Sequence, residues 1–168
     1  RVTTQRYGDG TLTYTYTLSG SSITQNTVLD KLGNRTDYGY DASGNNTSIR
    51  YYNPAQTGSV LYSYAYNTGW LVLTETRPRG NGYRYSYDVS GNLSSKRMKA
   101  NMSLADSAAD IVTAYTYNAR NEKISETLAN GAQVIYTRDG SGNILTKNLL
   151  GVLYDTKISI PKLTTTST

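Results

Sequence analysis

One short motif returns along the chain and constrains its fold more than any other feature. Tyr-x-Tyr-Asp-x-x-Gly-Asn occupies 38–45 and 85–92, and a third copy at 136–143 has Arg as its third residue. The alternation places both aromatic rings on one face of a β-strand. Asp favours the first position of a type I turn, where its side chain accepts a backbone N–H two residues on. Gly then takes the left-handed conformation that returns the chain, so each copy predicts a β-hairpin.

These three copies predict the structural turn residues of the chain. They are Asp41, Gly44, Asn45, Asp88, Gly91, Asn92, Asp139, Gly142 and Asn143. Weaker copies begin at Tyr14, Leu29, Tyr64 and Tyr115. The copy at Leu29 keeps the turn without the Tyr pair, the one at Tyr115 has Asn121 in the Gly position, and the one at Tyr64 is one residue short.

The residue inventory excludes several classes of enzyme. The 168 residues include no His, no Cys and no Phe, which rules out a Ser-His-Asp triad, a disulfide and a zinc site of the usual ligands. The aromatic set is 17 Tyr and one Trp, so the core must be thin and partly polar. No pair of carboxylates has a spacing that suggests a glycosidase. We therefore expect no enzymatic activity, no cofactor and no metal.

The domain organisation follows from the reach of the hairpin pattern. We expect an all-β fold over 1–157, a curved antiparallel sheet with Tyr on one face and Thr, Ser, Arg and Lys on the other. Residues 158–168 form a Pro/Thr-rich tail or a truncated edge strand, because Pro161 cannot donate to a ladder. The long insertion Met98–Asp110 is predicted to contain a short helix that starts near Ser103. No apolar run is long enough for a membrane helix, so no membrane insertion is expected.

The Tyr-Asp-x-x-Gly-Asn units resemble the YD repeats of the Rhs family, which includes bacterial polymorphic toxins, components of insecticidal toxin complexes and teneurins. The resemblance covers about residues 7–157. It implies an open segment of a β-shell that encloses a toxin or other passenger, and therefore a structural role in a larger secreted or cell-surface protein. The expected partners are the rest of that parent chain or neighbouring hairpins. The family's closing segment, rich in Gly, Arg and Asp-Pro, is not found in this sequence.

A second interpretation is a carbohydrate-binding module. Trp70 departs from the hairpin period, and Arg residues lie close to it in sequence, so acidic polysaccharide is the ligand that this interpretation predicts. Its candidate ligand-binding residues are Trp70, Arg77, Arg79, Tyr83, Arg84 and Tyr85. The wider basic cluster also contains Lys96, Arg97 and Lys99, but no nucleic-acid fold signature accompanies it and no nucleic-acid partner is expected. A carbohydrate-active enzyme is the third and weakest interpretation.

Overall fold

The computed structural model describes residues 1–151 and, as one further strand, Leu163–Thr166. All 14 regular elements of these residues are β-strands, and the strand pairs are antiparallel. The predicted all-β array of antiparallel hairpins is therefore confirmed. The predicted boundary between 157 and 158 lies outside the described residues.

The chain divides into two compact units, which we describe separately. The first unit comprises Arg1–Gly82 and Asn101–Ser103. Its strands follow one another in the sheet in chain order, each beside the next. They are β1 (Thr4–Tyr7), β2 (Gly10–Ser19), β3 (Ser22–Leu29), β4 (Arg35–Tyr40), β5 (Asn46–Tyr52), β6 (Ser59–Tyr66) and β7 (Val72–Thr76).

The second unit comprises Tyr83–Ala100 and the residues from Leu104 onward. Its strands also lie in chain order. They are β8 (Gly82–Tyr87, whose first residue belongs to the first unit), β9 (Leu93–Lys99), β10 (Ile111–Tyr117), β11 (Lys123–Thr127), β12 (Gln133–Arg138), β13 (Ile144–Leu150) and β14 (Leu163–Thr166).

The repeated motif folds into a five-residue turn whose first side chain holds it closed. At Asp41 the backbone N–H donates to the Asn45 carbonyl at 3.0 Å, and the Gly44 N–H donates to the Asp41 carbonyl at 3.0 Å. The Asp41 carboxylate accepts the N–H groups of Ser43 and Asn45, both at 2.9 Å. Gly44 has a φ of 85°, the left-handed conformation that the sequence predicts there. The turns at Asp88 and Asp139 have the same hydrogen bonds.

The same kind of turn also connects one hairpin to the next, at the ends of the strands opposite the motif turns. The turns that follow β4, β6, β8, β10 and β12 come after a Tyr-x-Tyr or Tyr-x-Arg sequence, whereas the turn that begins at Asp30 follows β3. The turns that begin at Arg77 and Leu128 have the same backbone hydrogen bonds without an Asp or Asn. The weak copy at Leu29 is therefore the turn between hairpins, and this explains why it lacks the Tyr pair.

The strand register separates two faces in the first unit. Tyr38 lies opposite Ile49 on β5, and Ile49 lies opposite Tyr62 on β6, so the three form one row. The next row along belongs to the other face and pairs Asp37 with Arg50. The Tyr rings pack edge to face, as Tyr51 and Tyr62 do at 6.1 Å and 89°.

The core is as thin as the composition predicts. Among the described residues, the buried apolar side chains are Ala132 and Val134, and the buried polar or charged ones are Asp37 and Lys99. Most Tyr side chains are half-buried. A single layer of rings cannot exclude water from both faces of a sheet, so hydrogen bonds must supply much of the cohesion.

The helix predicted within Met98–Asp110 is wrong. Met98 and Lys99 end β9, and residues 100–110 are a loop of turns and bends between β9 and β10. Its acidic residues bind cations instead of capping a helix, because Asp106 and Asp110 both contact Lys99 Nζ, at 3.1 and 3.0 Å. Within the described residues, no helix is long and apolar enough to cross a membrane.

Candidate functional site

The six candidate ligand residues belong to three elements of the chain. Trp70 lies in the turn before β7, and Arg77 and Arg79 lie in the turn after it. Five residues of strand separate the two turns, about 17 Å at the usual rise. The other three candidates, Tyr83, Arg84 and Tyr85, lie on β8 in the second unit. Arg77 donates to Glu75 at 2.9 Å, and Arg79 is exposed.

Three basic side chains of β8 and β9 are engaged by the acidic loop of the second unit. Arg84 forms an ion pair with Asp106. Arg97 contacts Asp106 and Asp110, each at 3.2 Å. Lys99 is the most buried of them, with only 1% of its side chain exposed, and its Nζ also donates to the Ala105 carbonyl at 2.9 Å. This network holds the loop Leu104–Asp110, and we call it the acidic-loop network.

The charges of the acidic-loop network stabilise the ionised carboxylates. A hydrogen bond from the Ser107 backbone, followed by those from Lys99 and Arg97, lowers the pKa of Asp110 to about 2. The Lys99 hydrogen bond and the nearby Arg charges likewise lower the pKa of Asp106. The cations of this network are therefore largely neutralised and offer little charge to an acidic ligand.

Lys96 lies on the Tyr face, apart from the acidic-loop network. Its Nζ is 4.2 Å from the centroid of the Tyr83 ring, a cation–π contact. The Tyr83 and Tyr85 rings are 6.1 Å apart with their planes inclined by 34°. Arg84 points away from this face, as strand alternation predicts, because it reaches Asp106.

A buried acid that the sequence analysis missed organises the opposite face of the first unit. Asp37 on β4 accepts two hydrogen bonds from Arg35, at 2.9 and 2.8 Å. Thr27 and Tyr52 donate to the same carboxylate at 2.7 and 2.9 Å. Burial raises the pKa of Asp37, but these donors outweigh burial and leave the pKa below its ordinary value. The available signal was the Arg-x-Asp alternation within one strand, which places both side chains on one face.

In two of the weaker copies of the motif, the second aromatic residue binds the preceding hairpin. Tyr66 Oη donates to the carbonyl of Asn46 at 2.8 Å, and Tyr117 Oη donates to that of Leu93 at 3.0 Å. Asn46 and Leu93 are the first residues of β5 and β9, each in the hairpin before. We call this contact the inter-hairpin hydrogen bond.

Arg138 makes the same contact in the hairpin where it replaces the Tyr. Its guanidinium donates to the carbonyl of Lys123, the first residue of β11, at 3.1 Å from NH2. Arg138 also donates to the Gly142 carbonyl at 2.8 Å, within its own turn. Arg in place of Tyr therefore keeps a hydrogen-bond donor at the position that makes the inter-hairpin hydrogen bond.

Trp70 occupies the position that Gly holds in the turns of the three full motif copies. Its N–H donates to the Asn67 carbonyl at 3.0 Å, and the Asn67 N–H donates to the Leu71 carbonyl at 2.9 Å. The turn is therefore of full length, and the expectation that this copy is one residue short is wrong. Trp70 has a φ of 63°, which is rare for a bulky residue.

The Trp70 turn borders a small cleft beside the Asp41 turn. The cleft has a volume of about 310 Å³. Its lining consists of Asp41, Ser43, Asn45, Tyr66, Asn67, Thr68 and Trp70. The indole is 69% exposed, and no cationic residue lines the cleft. Among the described side chains, no three of His, Cys, Asp or Glu lie close enough together to hold a metal ion.

Comparisons with known proteins identify a shared fold. No family model matches the chain, and no curated protein matches it in sequence. A crystal structure of TcdB2-TccC3-Cdc42 matches with a TM-score of 0.57 at 14% identity, covering 84% of this chain and 9% of that chain. TcdB2-TccC3 without its hypervariable C-terminal region matches with a TM-score of 0.56 at 13% identity over the same shares, 84% and 9%.

These matches establish a likeness of architecture. At such low sequence identity, the likeness shows the fold alone: this chain folds like a segment of those structures. It spans about 9% of the length of the chains that it matches. The hairpin array inferred from the Tyr-Asp-x-x-Gly-Asn motif therefore occurs within much larger proteins.

Proposed function

We propose that this chain is a structural segment of a larger Rhs-like protein, in which tandem hairpins build a continuous wall. The observation that carries the proposal is the inter-hairpin hydrogen bond. It recurs at Tyr66, Tyr117 and Arg138, and each time it joins one hairpin to the one before. A repeat that binds its predecessor in this way can be extended by further copies, as in other repeat proteins.

The larger context supports this role. The chain has the fold of a segment of the TcdB2-TccC3 structures and covers only 9% of their length. Together with the motif's resemblance to YD repeats, this supports a parent protein that is secreted or lies at the cell surface. Its wall would enclose a toxin or other passenger, or present a binding surface.

We further propose that the segment acts without catalysis. The Asp residues of the turns accept backbone N–H groups, and those of the acidic-loop network are paired with cations. Asp37 is saturated by Arg35, Thr27 and Tyr52. The segment would act by keeping solvent and proteases out, with the hydrogen-bonded backbone of its strands as the barrier.

The test compares the parent protein with a variant weakened in its wall. The native polypeptide that carries this segment is isolated and its intact mass measured, and we expect a chain several times longer than 168 residues. Limited proteolysis of that protein is expected to spare the segment and whatever it encloses. The double variant Tyr66→Phe, Tyr117→Phe is expected to be cleaved faster. A native product of this length alone, or equal protection in wild type and variant, would contradict the proposal.

A further inference from the structure

The backbone of Trp70 is strained where the repeat normally avoids strain. The equivalent residues in the motif turns are Gly44, Gly91 and Gly142, with φ values of 85°, 83° and 91°. Asn121 is the other exception, and Asn tolerates this conformation well. An indole gains nothing in the turn itself, since its side chain is 69% exposed. Backbone strain of this kind is often retained at binding sites, which makes Trp70 a candidate ligand-binding residue.

The cleft beside Trp70 has the chemistry of a cation site. Two aromatic residues, Trp70 and Tyr66, line it together with the carboxylate-bearing Asp41. Indole is the best ring for attracting a cation over its face. The remaining lining residues offer amide and hydroxyl groups and carry no positive charge. The charged side chain of this lining is therefore Asp41, within a protein of formal charge +5.

Asp41 keeps its charge and part of its accepting capacity. Its Oδ1 accepts two backbone N–H groups, and its Oδ2 accepts the Asn45 side-chain amide at 2.9 Å. The amide of Asn45 is the main cause that lowers the pKa of Asp41, so the carboxylate is ionised at neutral pH. A carboxylate oxygen accepts more than one hydrogen bond, which leaves room for a donor from the cleft.

We propose that the cleft binds an organic cation, with an ammonium or guanidinium group over the Trp70 indole and facing Asp41. This inference goes beyond the wall function and does not depend on it. It also differs from the acidic-polysaccharide interpretation, because Asp41 and Trp70 line one cleft, whereas Arg77 and Arg79 lie at the other end of β7. Two sources share the chemistry: a Lys or Arg side chain of a partner polypeptide, and a small amine such as an amino sugar.

Trp70 provides the probe, because it is the only Trp of the chain. The intact chain is titrated with choline while indole emission is followed, with glucose and glutamate as neutral and anionic controls. We expect the indole emission to change saturably with choline, at a Kd on the order of 1 mM, and to stay constant with glucose and with glutamate. A lysine-containing peptide and glucosamine then distinguish the sources by which binds more tightly. Equal responses to choline and glucose, or no saturable response to any cation, would overturn the proposal.

Matched variants separate the cleft from the turn. Asp41→Asn removes the charge and is expected to weaken choline binding about tenfold. Asp88→Asn is its control, since Asp88 makes the same contacts with Asn92 in another turn. The control variant should bind as the wild type does. Trp70→Gly, followed by NMR shifts of the cleft amides, should fold at least as well and lose binding. Retained binding in Trp70→Gly, or equal affinity in the two Asp variants, would refute the cation site.

Discussion

The inter-hairpin hydrogen bond gives the sharpest test of what holds the array together. Tyr117→Phe removes one hydroxyl and leaves the ring in its place. The lost contact is the 3.0 Å bond to the Leu93 carbonyl, which is partly buried. A net hydrogen bond of this kind contributes about 1 kcal/mol, because folding exchanges it for one with water. We expect the free energy of unfolding to fall by this amount and the melting temperature by about 3 °C.

Urea denaturation measures the effect. With an m value of roughly 2 kcal/mol/M, a loss of about 1 kcal/mol lowers the midpoint by about 0.5 M while m stays constant. Amide hydrogen exchange should localise the loss to the start of β9 and the end of β10, the two segments that the bond joins. Tyr66→Phe removes the corresponding bond in the first unit. The two hydrogen bonds share no residue, so we expect their effects to add and the double variant to lose about 2 kcal/mol.

Tyr115→Phe is the matched control. Tyr115 is the first aromatic residue of the same hairpin, and none of the hydrogen bonds in the described residues involves its hydroxyl. Its loss should change stability by less than about 0.5 kcal/mol. If Tyr117→Phe and Tyr115→Phe have equal effects, the second hydroxyl does not join the hairpins, and the account of the repeat is wrong.

Three further predictions follow from the same contacts. Arg138→Tyr should change stability by less than about 0.5 kcal/mol, because Tyr restores a donor to the Lys123 carbonyl, whereas Arg138→Leu should cost about 1 kcal/mol; urea midpoints compare the two. Lys99→Met should release the loop that Asp106 and Asp110 anchor, seen as faster amide exchange there, while Lys96→Met should leave the loop protected. Acid should unfold the chain: the turn aspartates and Asp110 have pKa values lower when folded than when unfolded. Their stabilisation is complete above about pH 4 and is lost as pH falls through the folded values, about 2 for Asp110, as a circular-dichroism titration would show.

The motif determined the fold because its signals are local. An Asp that binds backbone amides two and four residues on, followed by Gly, closes a turn whatever lies around it. The alternation of Tyr then assigns a face to each strand. The failed helix shows the limit of such reasoning. Ser103 and Asp106 satisfy a local capping pattern, but Asp106 is bound by Arg84, Arg97 and Lys99 from neighbouring strands.

Strict alternation also failed after the turns, because the returning strand contains a bulge. Tyr117 lies opposite Lys123, but Thr116 lies opposite Ser125, which leaves Ile124 without a partner. Lys123 and Glu126 therefore share a face, and their charged groups meet at 2.9 Å. Regular strand alternation would place Lys123 and Glu126, which are three residues apart, on opposite faces. The extra residue follows from hairpin geometry in three dimensions and has no signature of its own in the sequence.

The absence of Phe and the abundance of Tyr have one physical explanation. A single layer of rings buries little, and among the described residues only Ala132 and Val134 are buried apolar side chains. Hydrophobic burial alone then cannot fix how one hairpin lies on the next. A Tyr supplies a ring to the layer and a hydroxyl that donates to the neighbouring carbonyl, as Tyr66 does to Asn46. Arg138 keeps the hydrogen-bond donor that Tyr66 and Tyr117 supply at this position, and Phe could not provide one.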